Sequence, residues 1–253
     1  MSEVVNCVID NIKYECTSET TCKVVGAEWG AKEAIIPEEV TIDRKQYKVT
    51  AVGTKAFSVS RFERIELPVG ITEIEDNAFE CWYLKNVKLP DGLTVMGNLV
   101  FNCCKWIETV EIPDSVKSIG QYAFRGCENL KNVKLPSGIE ELSDSLFCDC
   151  KSLESVEIPD SVKVIGEAVF SGCEKLKKVK LPAGLTEIDR LVFNECKSLE
   201  RIEIPDTVKS IGNYAFCKCE KLTAVDLPSG LVSVGEGAFQ GCKLLENSEE
   251  NNK

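Results

Sequence analysis

Residues 113–135 read PDSVKSIGQYAFRGCENLKNVKL, and the three stretches that follow, beginning PSGIEELSDSLFCDC at 136, PDSVKVIGEAVFSGC at 159 and PAGLTEIDRLVFNEC at 182, lie on it without a gap. Every proline of the chain takes the same place in this unit: Pro37, Pro68, Pro90, Pro113, Pro136, Pro159, Pro182, Pro205 and Pro228, spaced by 23 residues from Pro90 onward. A fixed period of this size means that each unit is one supersecondary coil, unable to bury its apolar face alone and obliged to stack on its neighbours. The chain is therefore expected to be a repeat solenoid, with its function on the surface of the stack.

Within a coil, a short alternating run such as Val110, Glu111, Ile112 puts its apolar residues on one face and is read as a strand. Proline then opens a tight turn, with Gly following at Gly138 and Gly184. An apolar pair, Val116 and Ile119, turns back inward. In AFRGCENL, residues Phe124, Cys127 and Leu130 are three apart and share one face of a predicted helical or 3₁₀ segment. The fold class expected is thus an α/β repeat solenoid, with stacked parallel strands about 4.8 Å apart forming a ladder roughly 35 Å long.

The motif LxxVxIPxxVxxIGxxAFxxCxxL, as in LKNVKLP followed by SGIEELSDSLFCDCKSL, resembles the BspA-like leucine-rich repeat, also called the Treponema pallidum type, over residues 37 to 245. The stretch IDNIKYECTSETTCKVVGAEWGAKEAIIP resembles the hairpin that precedes such repeats in that family. The resemblance implies a curved right-handed solenoid with its parallel sheet on the concave face, short helical or 3₁₀ segments opposite and an N-terminal β-hairpin cap. It further implies a non-enzymatic protein, displayed on microbial surfaces and used for adhesion to host or matrix proteins.

No linker or composition break interrupts the register, so the expected organisation is a β cap over 1–36, a solenoid over 37–245 and a disordered acidic tail over 246–253. The first unit carries an insertion, TIDRKQYK at 41–48, which with the cap is expected to cover the first open edge. The tail is too short and polar to cover the last one, so either the sequence is a piece of a longer chain or that edge meets something; tail-to-tail homodimerisation through the Pro228 coil is expected in the second case, as an alternative function, a self-assembling repeat.

The residue two before each proline reads Glu66, Lys88, Glu111, Lys134, Glu157, Lys180, Glu203, Asp226. In stacked strands these alternating charges become neighbours, each opposite pair contributing about 0.2–1 kcal/mol, and a slip of one coil would set like charges together. Register control is the plain reading of this column; a partner-binding role for Lys88, Glu111, Lys134 and Glu157 is the sharper one. The net charge of −11 argues against nucleic acid or an anionic membrane as partner.

Eight of the 14 cysteines fall in one column, Cys81, Cys104, Cys127, Cys150, Cys173, Cys196, Cys219 and Cys242, alongside Phe and Leu, and are expected as reduced core residues. The CxC pairs Cys148/Cys150 and Cys217/Cys219 lie three coils apart, some 14 Å, too far to share a zinc ion. Cys16 and Cys22 flank a predicted hairpin turn and are the pair expected to form a disulfide under oxidising conditions.

Histidine is absent from the sequence, which removes the commonest general base and the usual nucleophile partners and catalytic zinc ligands. No phosphate-loop, nucleophile-elbow or dinucleotide motif is present, so no catalytic residue, cofactor or metal is predicted. Neither an apolar leader nor a membrane-spanning run is visible, which leaves the compartment open.

One column departs from its pattern. The position before the motif leucine is Tyr83, Trp106, Asn129, Ser152, Lys175, Ser198, Lys221, Leu244: polar in the middle coils, aromatic in two early ones, with Trp82 beside them. Either the cap, with Trp29 and Tyr47, folds over these rings, or Trp82, Tyr83 and Trp106 form an open patch of the kind that makes interface hot spots.

Overall fold

The structure, a computed structural model, describes residues 6–28, 32–58 and 60–245. Trp29 and the expected tail at 246–253 lie outside them. The chain opens with β1 (Asn6–Ile9), β2 (Ile12–Cys16), β3 (Thr21–Ala27), β4 (Glu33–Ile35), β5 (Glu39–Ile42) and β6 (Lys45–Val52). β1, β2 and β3 are antiparallel neighbours, and the 41–48 segment forms an antiparallel hairpin between β5 and β6. At both two-residue turns the chain needs positive φ: Asp10 and Asn11 at 48° and 64°, Asp43 and Arg44 at 50° and 68°.

From there each coil supplies a three-residue and a two-residue strand: β7 (Arg64–Glu66), β8 (Glu73–Ile74), β9 (Asn86–Lys88), β10 (Val95–Met96), β11 (Thr109–Glu111), β12 (Ser118–Ile119), β13 (Asn132–Lys134), β14 (Glu141–Leu142), β15 (Ser155–Glu157), β16 (Val164–Ile165), β17 (Lys178–Lys180), β18 (Glu187–Ile188), β19 (Arg201–Glu203), β20 (Ser210–Ile211), β21 (Ala224–Asp226) and β22 (Ser233–Val234). All pairings between coils are parallel. The expected single ladder of three-residue strands is divided into β4-β7-β9, β11-β13 and β15-β17-β19-β21. The cap joins the other side of the coil: β3 pairs β6, β6 pairs β8, and that sheet runs on through β10 and β12.

Among the described residues, the helical or 3₁₀ segments expected opposite the strands are not formed, apart from a short helical stretch at 243–245 in the last coil. AFRGCENL and its equivalents in the coils before the last are successive turns, so the α/β expectation gives way to a β-solenoid. The reason lies in the left-handed residues of the turns, one per coil at Lys55 and Asn77 and two per coil from Leu99 and Cys103 onward, such as Tyr122 at φ 59° and Gly126 at φ 70°, which a helix cannot hold. They turn alternate amides out of the coil: Tyr122, Phe124 and Gly126 donate to the carbonyls of Asp144, Leu146 and Cys148 on the next coil at 3.0, 3.0 and 2.8 Å. Hydrogen bonds that a helix would keep to itself thus become a third ladder between coils.

The core is built from columns. Phe57, Phe79, Phe101, Phe124, Phe147, Phe170, Phe193, Phe216 and Phe239 form one continuous stack, with ring centroids 5.2 to 5.8 Å apart and interplanar angles of 1 to 19°. The eight column cysteines are buried beside them and carry free thiols. Seven of these thiols, from Cys104 to Cys242, donate to the phenylalanine carbonyl of the preceding coil at 2.7 to 3.3 Å. Cysteine therefore fits this column twice, as a small apolar volume and as a donor to a buried carbonyl.

Candidate functional site

Trp82, Tyr83 and Trp106 follow the buried anchors Phe79, Cys81 and Cys104, on the turns that lead into β9 and β11. The coil of Trp82 passes from Phe79 to Leu84 without the left-handed residue that Cys103 (φ 58°) supplies in the next coil between Phe101 and Ile107. Both coils keep their anchors inside, and the aromatic side chains are left outside: Trp82 is 61% exposed, Tyr83 48% and Trp106 55%. Their rings do not stack with one another; the ring contacts among the described residues all join phenylalanines. Tyr47, offered as a cover, is engaged within the cap, with Lys45 Nζ 5.5 Å from its ring centroid and its hydroxyl against the Cys16 thiol.

Ion pairs flank the patch. Lys85 meets Glu63 at 2.6 Å, and Lys105 meets Glu128 at 3.0 Å. The hydrogen bond from Lys85 and a second contact from Lys32 hold the Glu63 carboxyl below its usual range, and Lys105 does the same for Glu128.

On the three-residue strands, Lys88, Glu111, Lys134 and Glu157 point outward, each across from an opposite charge: Glu66 faces Lys88, Glu111 faces Lys134, and Glu157 faces Lys180. None of these four, nor Lys180, makes an ion pair or side-chain hydrogen bond among the described residues. Side-chain contacts run instead along columns that sequence reasoning passed over, in which Lys131 meets Glu108 at 2.8 Å, Lys177 meets Glu154 at 3.5 Å and Lys218 meets Glu195 at 2.6 Å. At the end of the outward ladder Glu203 faces Asp226, two like charges, and Arg201 lies within 3.9 Å of the first and 3.4 Å of the second. Grooves between coils are lined by Asn86, Lys88, Thr109 and Glu111, and farther along by Lys134, Glu157 and Lys180. The outward ladder and the aromatic turns thus adjoin on the same coils.

A second exposed region closes the last coil, where Leu227, Val232, Val234 and Leu244 are 49, 82, 48 and 43% exposed. The sequence held a signal for Val232, which sits in a column otherwise filled by Lys117, Glu140, Lys163, Thr186 and Lys209. Among the described residues, no cluster of ligating side chains could hold a metal ion, and no helix is long and apolar enough to cross a membrane.

Coils stacked by parallel strands, with an unbroken phenylalanine column, define a solenoid repeat protein. A family model described as BspA type Leucine rich repeat region matches residues 50–160, 97–222 and 141–252, in six copies. The chain belongs to the BspA-type leucine-rich repeat family, a repeat scaffold with no enzymatic family indicated. Among solved structures it is similar to the pneumococcal vaccine antigen PcpA, at 24% identity and a TM-score of 0.74, over 94% of this chain and 68% of that one. It is also similar to the T. pallidum leucine-rich repeat protein, at 23% identity and a TM-score of 0.55, over 94% and 96% of the two chains. No curated protein matches.

Proposed function

We propose that this protein is a non-enzymatic interaction module that binds partner proteins through the early aromatic turns and the adjoining strand ladder. The observation that carries the reading is the exposure of Trp82, Tyr83 and Trp106 on adjacent coils, without ring partners among the described residues, in a chain whose phenylalanine column is stacked throughout. Open Trp and Tyr are the residues that dominate binding energy when a partner desolvates them. The charges of Lys88, Glu111, Lys134 and Glu157, unpaired among the described residues, would orient such a partner and screen out others. By family resemblance the strand face is concave, the winding right-handed, the setting a cell surface and the partner a host or matrix protein, which makes the module adhesin-like.

The test is capture by the intact chain from extracellular-matrix proteins, alongside a Trp82/Tyr83/Trp106→Ser variant. A partner bound by the parent and lost in the variant supports the reading; equal capture by both overturns the assignment of the site. The exposed apolar residues of the last coil favour a second reading, self-association edge to edge through the Pro228 coil. A concentration-dependent mass in light scattering that vanishes on Val232→Lys supports it, and a monomer at high concentration sinks it.

A further inference from the structure

We propose that Cys16 and Cys22 are a disulfide-forming site in the cap, closed by exchange with a small-molecule disulfide. Both thiols are free in the structure. The two residues are directly opposite in the antiparallel pair β2–β3. The amide of Thr17 donates to the carbonyl of Thr21 at 2.9 Å, which makes 17 and 21 a hydrogen-bonded pair. By the alternation of an antiparallel ladder, 16 and 22 are then a non-hydrogen-bonded pair, where Cα atoms come within about 4.5 Å and side chains are closest. That separation falls in the span of about 4.4–6.8 Å that a disulfide bridges. Directly paired residues share a face of the sheet, so the two Cβ atoms point the same way.

No other pair of cysteines is as well placed. Cys7 is opposite Tyr14 on β1, diagonal to Cys16 at a distance of about 7–8 Å, beyond bridging without backbone movement. The column cysteines stack in parallel, each thiol turned onto a carbonyl of the coil before.

The exposure of the two residues sets the order of events. Cys16 is half-buried and Cys22 fully buried. The Cys16 thiolate attacks a sulfur of the small-molecule disulfide, breaking its S–S bond and releasing one thiol. The Cys22 thiolate then attacks the Cys16 sulfur in the mixed disulfide, forming the Cys16–Cys22 bond and releasing the second thiol. Two protein thiols are oxidised, one disulfide is reduced to two thiols, and these carry the two protons. Cys22 needs to reach only its neighbour across the strand, so its burial does not prevent the second step. Burial, with Cys16 and Cys7 beside it, pushes the Cys22 thiol up to about 12, so closure speeds up as pH rises. The bond would fasten β3, the strand that pairs with β6 and carries Lys23 onto Glu75 of the solenoid.

The test exposes the intact chain to graded ratios of oxidised to reduced glutathione, followed by acid quench, alkylation and peptide mapping by mass spectrometry. The expected product is a single Cys16–Cys22 cross-link, two hydrogens lighter than the reduced chain, formed equally in Cys7→Ser and absent in Cys22→Ser, where the glutathione adduct stays on Cys16. Should Cys22→Ser fail to fold, Cys16→Ala at the half-buried position must abolish the cross-link and leave no adduct in the cap. The proposal is overturned by a chain that keeps all its thiols under the most oxidising ratio, by a bond to Cys7, or by an adduct on Cys16 of the parent chain that never resolves.

Discussion

Lys23 Nζ donates to Glu75 Oε1 at 2.9 Å, joining a cap strand to a solenoid coil across 52 residues of sequence. The other oxygen of Glu75 accepts from the amide and the hydroxyl of Thr54, both at 2.8 Å. Glu75 stands in a column that is glycine at Gly53, Gly97 and Gly120, so this carboxylate is a local departure that ties two elements together. Partial burial pushes its carboxyl up, but the bonds from Lys23 and Thr54 outweigh that and hold it below its ordinary value, while Glu75 in turn raises Lys23. A depressed folded value means that the contribution is present above the unfolded value of about 4.3 and is lost as pH falls through the folded one. Glu75→Gln is expected to cost about 1–2 kcal/mol at neutral pH and to flatten the acid limb of a plot of Tm against pH. An unchanged acid limb would remove Glu75 from the account.

The phenylalanine column predicts a gradient along the chain. Phe147→Ala, between two stacked rings in the middle, is expected to cost about 3–5 kcal/mol by cavity formation. Phe239→Ala removes a partly buried ring with a neighbour on one side and is expected to cost less than half as much. Urea unfolding of the two variants measures the difference, and equal losses would argue against a continuous stack.

Burial pushes the thiols of Cys104, Cys127, Cys150, Cys173 and Cys196 well above their usual value. With almost no thiolate at neutral pH, they are expected to stay silent to alkylating reagents in the native chain and to react together on unfolding. Cys150→Ala, which loses both volume and a donor to the Phe124 carbonyl, is expected to cost about 1–2 kcal/mol in chemical denaturation.

The outward ladder supports a charge-reversal test. Lys134→Glu would set three acids in succession, with Glu111 and Glu157 on either side, and is expected to destabilise by about 1 kcal/mol at low salt and less at high salt. Trp106→Ala, at an exposed position, is expected to change stability by about 0.5 kcal/mol or less. A larger loss would mean that Trp106 covers structure rather than awaiting a partner.

Much of the solenoid was legible because it rests on period. The proline, phenylalanine and cysteine columns announce what stacks on what, and the alternating charges before each proline become cross-strand neighbours as their spacing requires. The turn face was not legible in the same way. Apolar residues three apart suit a helix and a series of turns equally, and the left-handed residues that decide between them include Leu99, Tyr122 and Leu191, side chains with no preference for positive φ. The flanking ion pairs were hidden for another reason: which lysine reaches which glutamate depends on side-chain direction across coils, as at Lys85 and Glu63.

By itself the sequence determined that this protein is a stack of coils, which residues line its interior, and that Trp82, Tyr83 and Trp106 break a polar column. Spacing alone carries that information, because burial in a repeat recurs with the repeat. Only the tertiary structure decided that those three rings stand open, that the ladder charges from Lys88 to Lys180 lack ion-pair partners among the described residues, and that Cys16 faces Cys22 across a narrow strand pair. Exposure, pairing and register come from contacts between segments distant in the chain, and those contacts exist only once the coils have closed on one another.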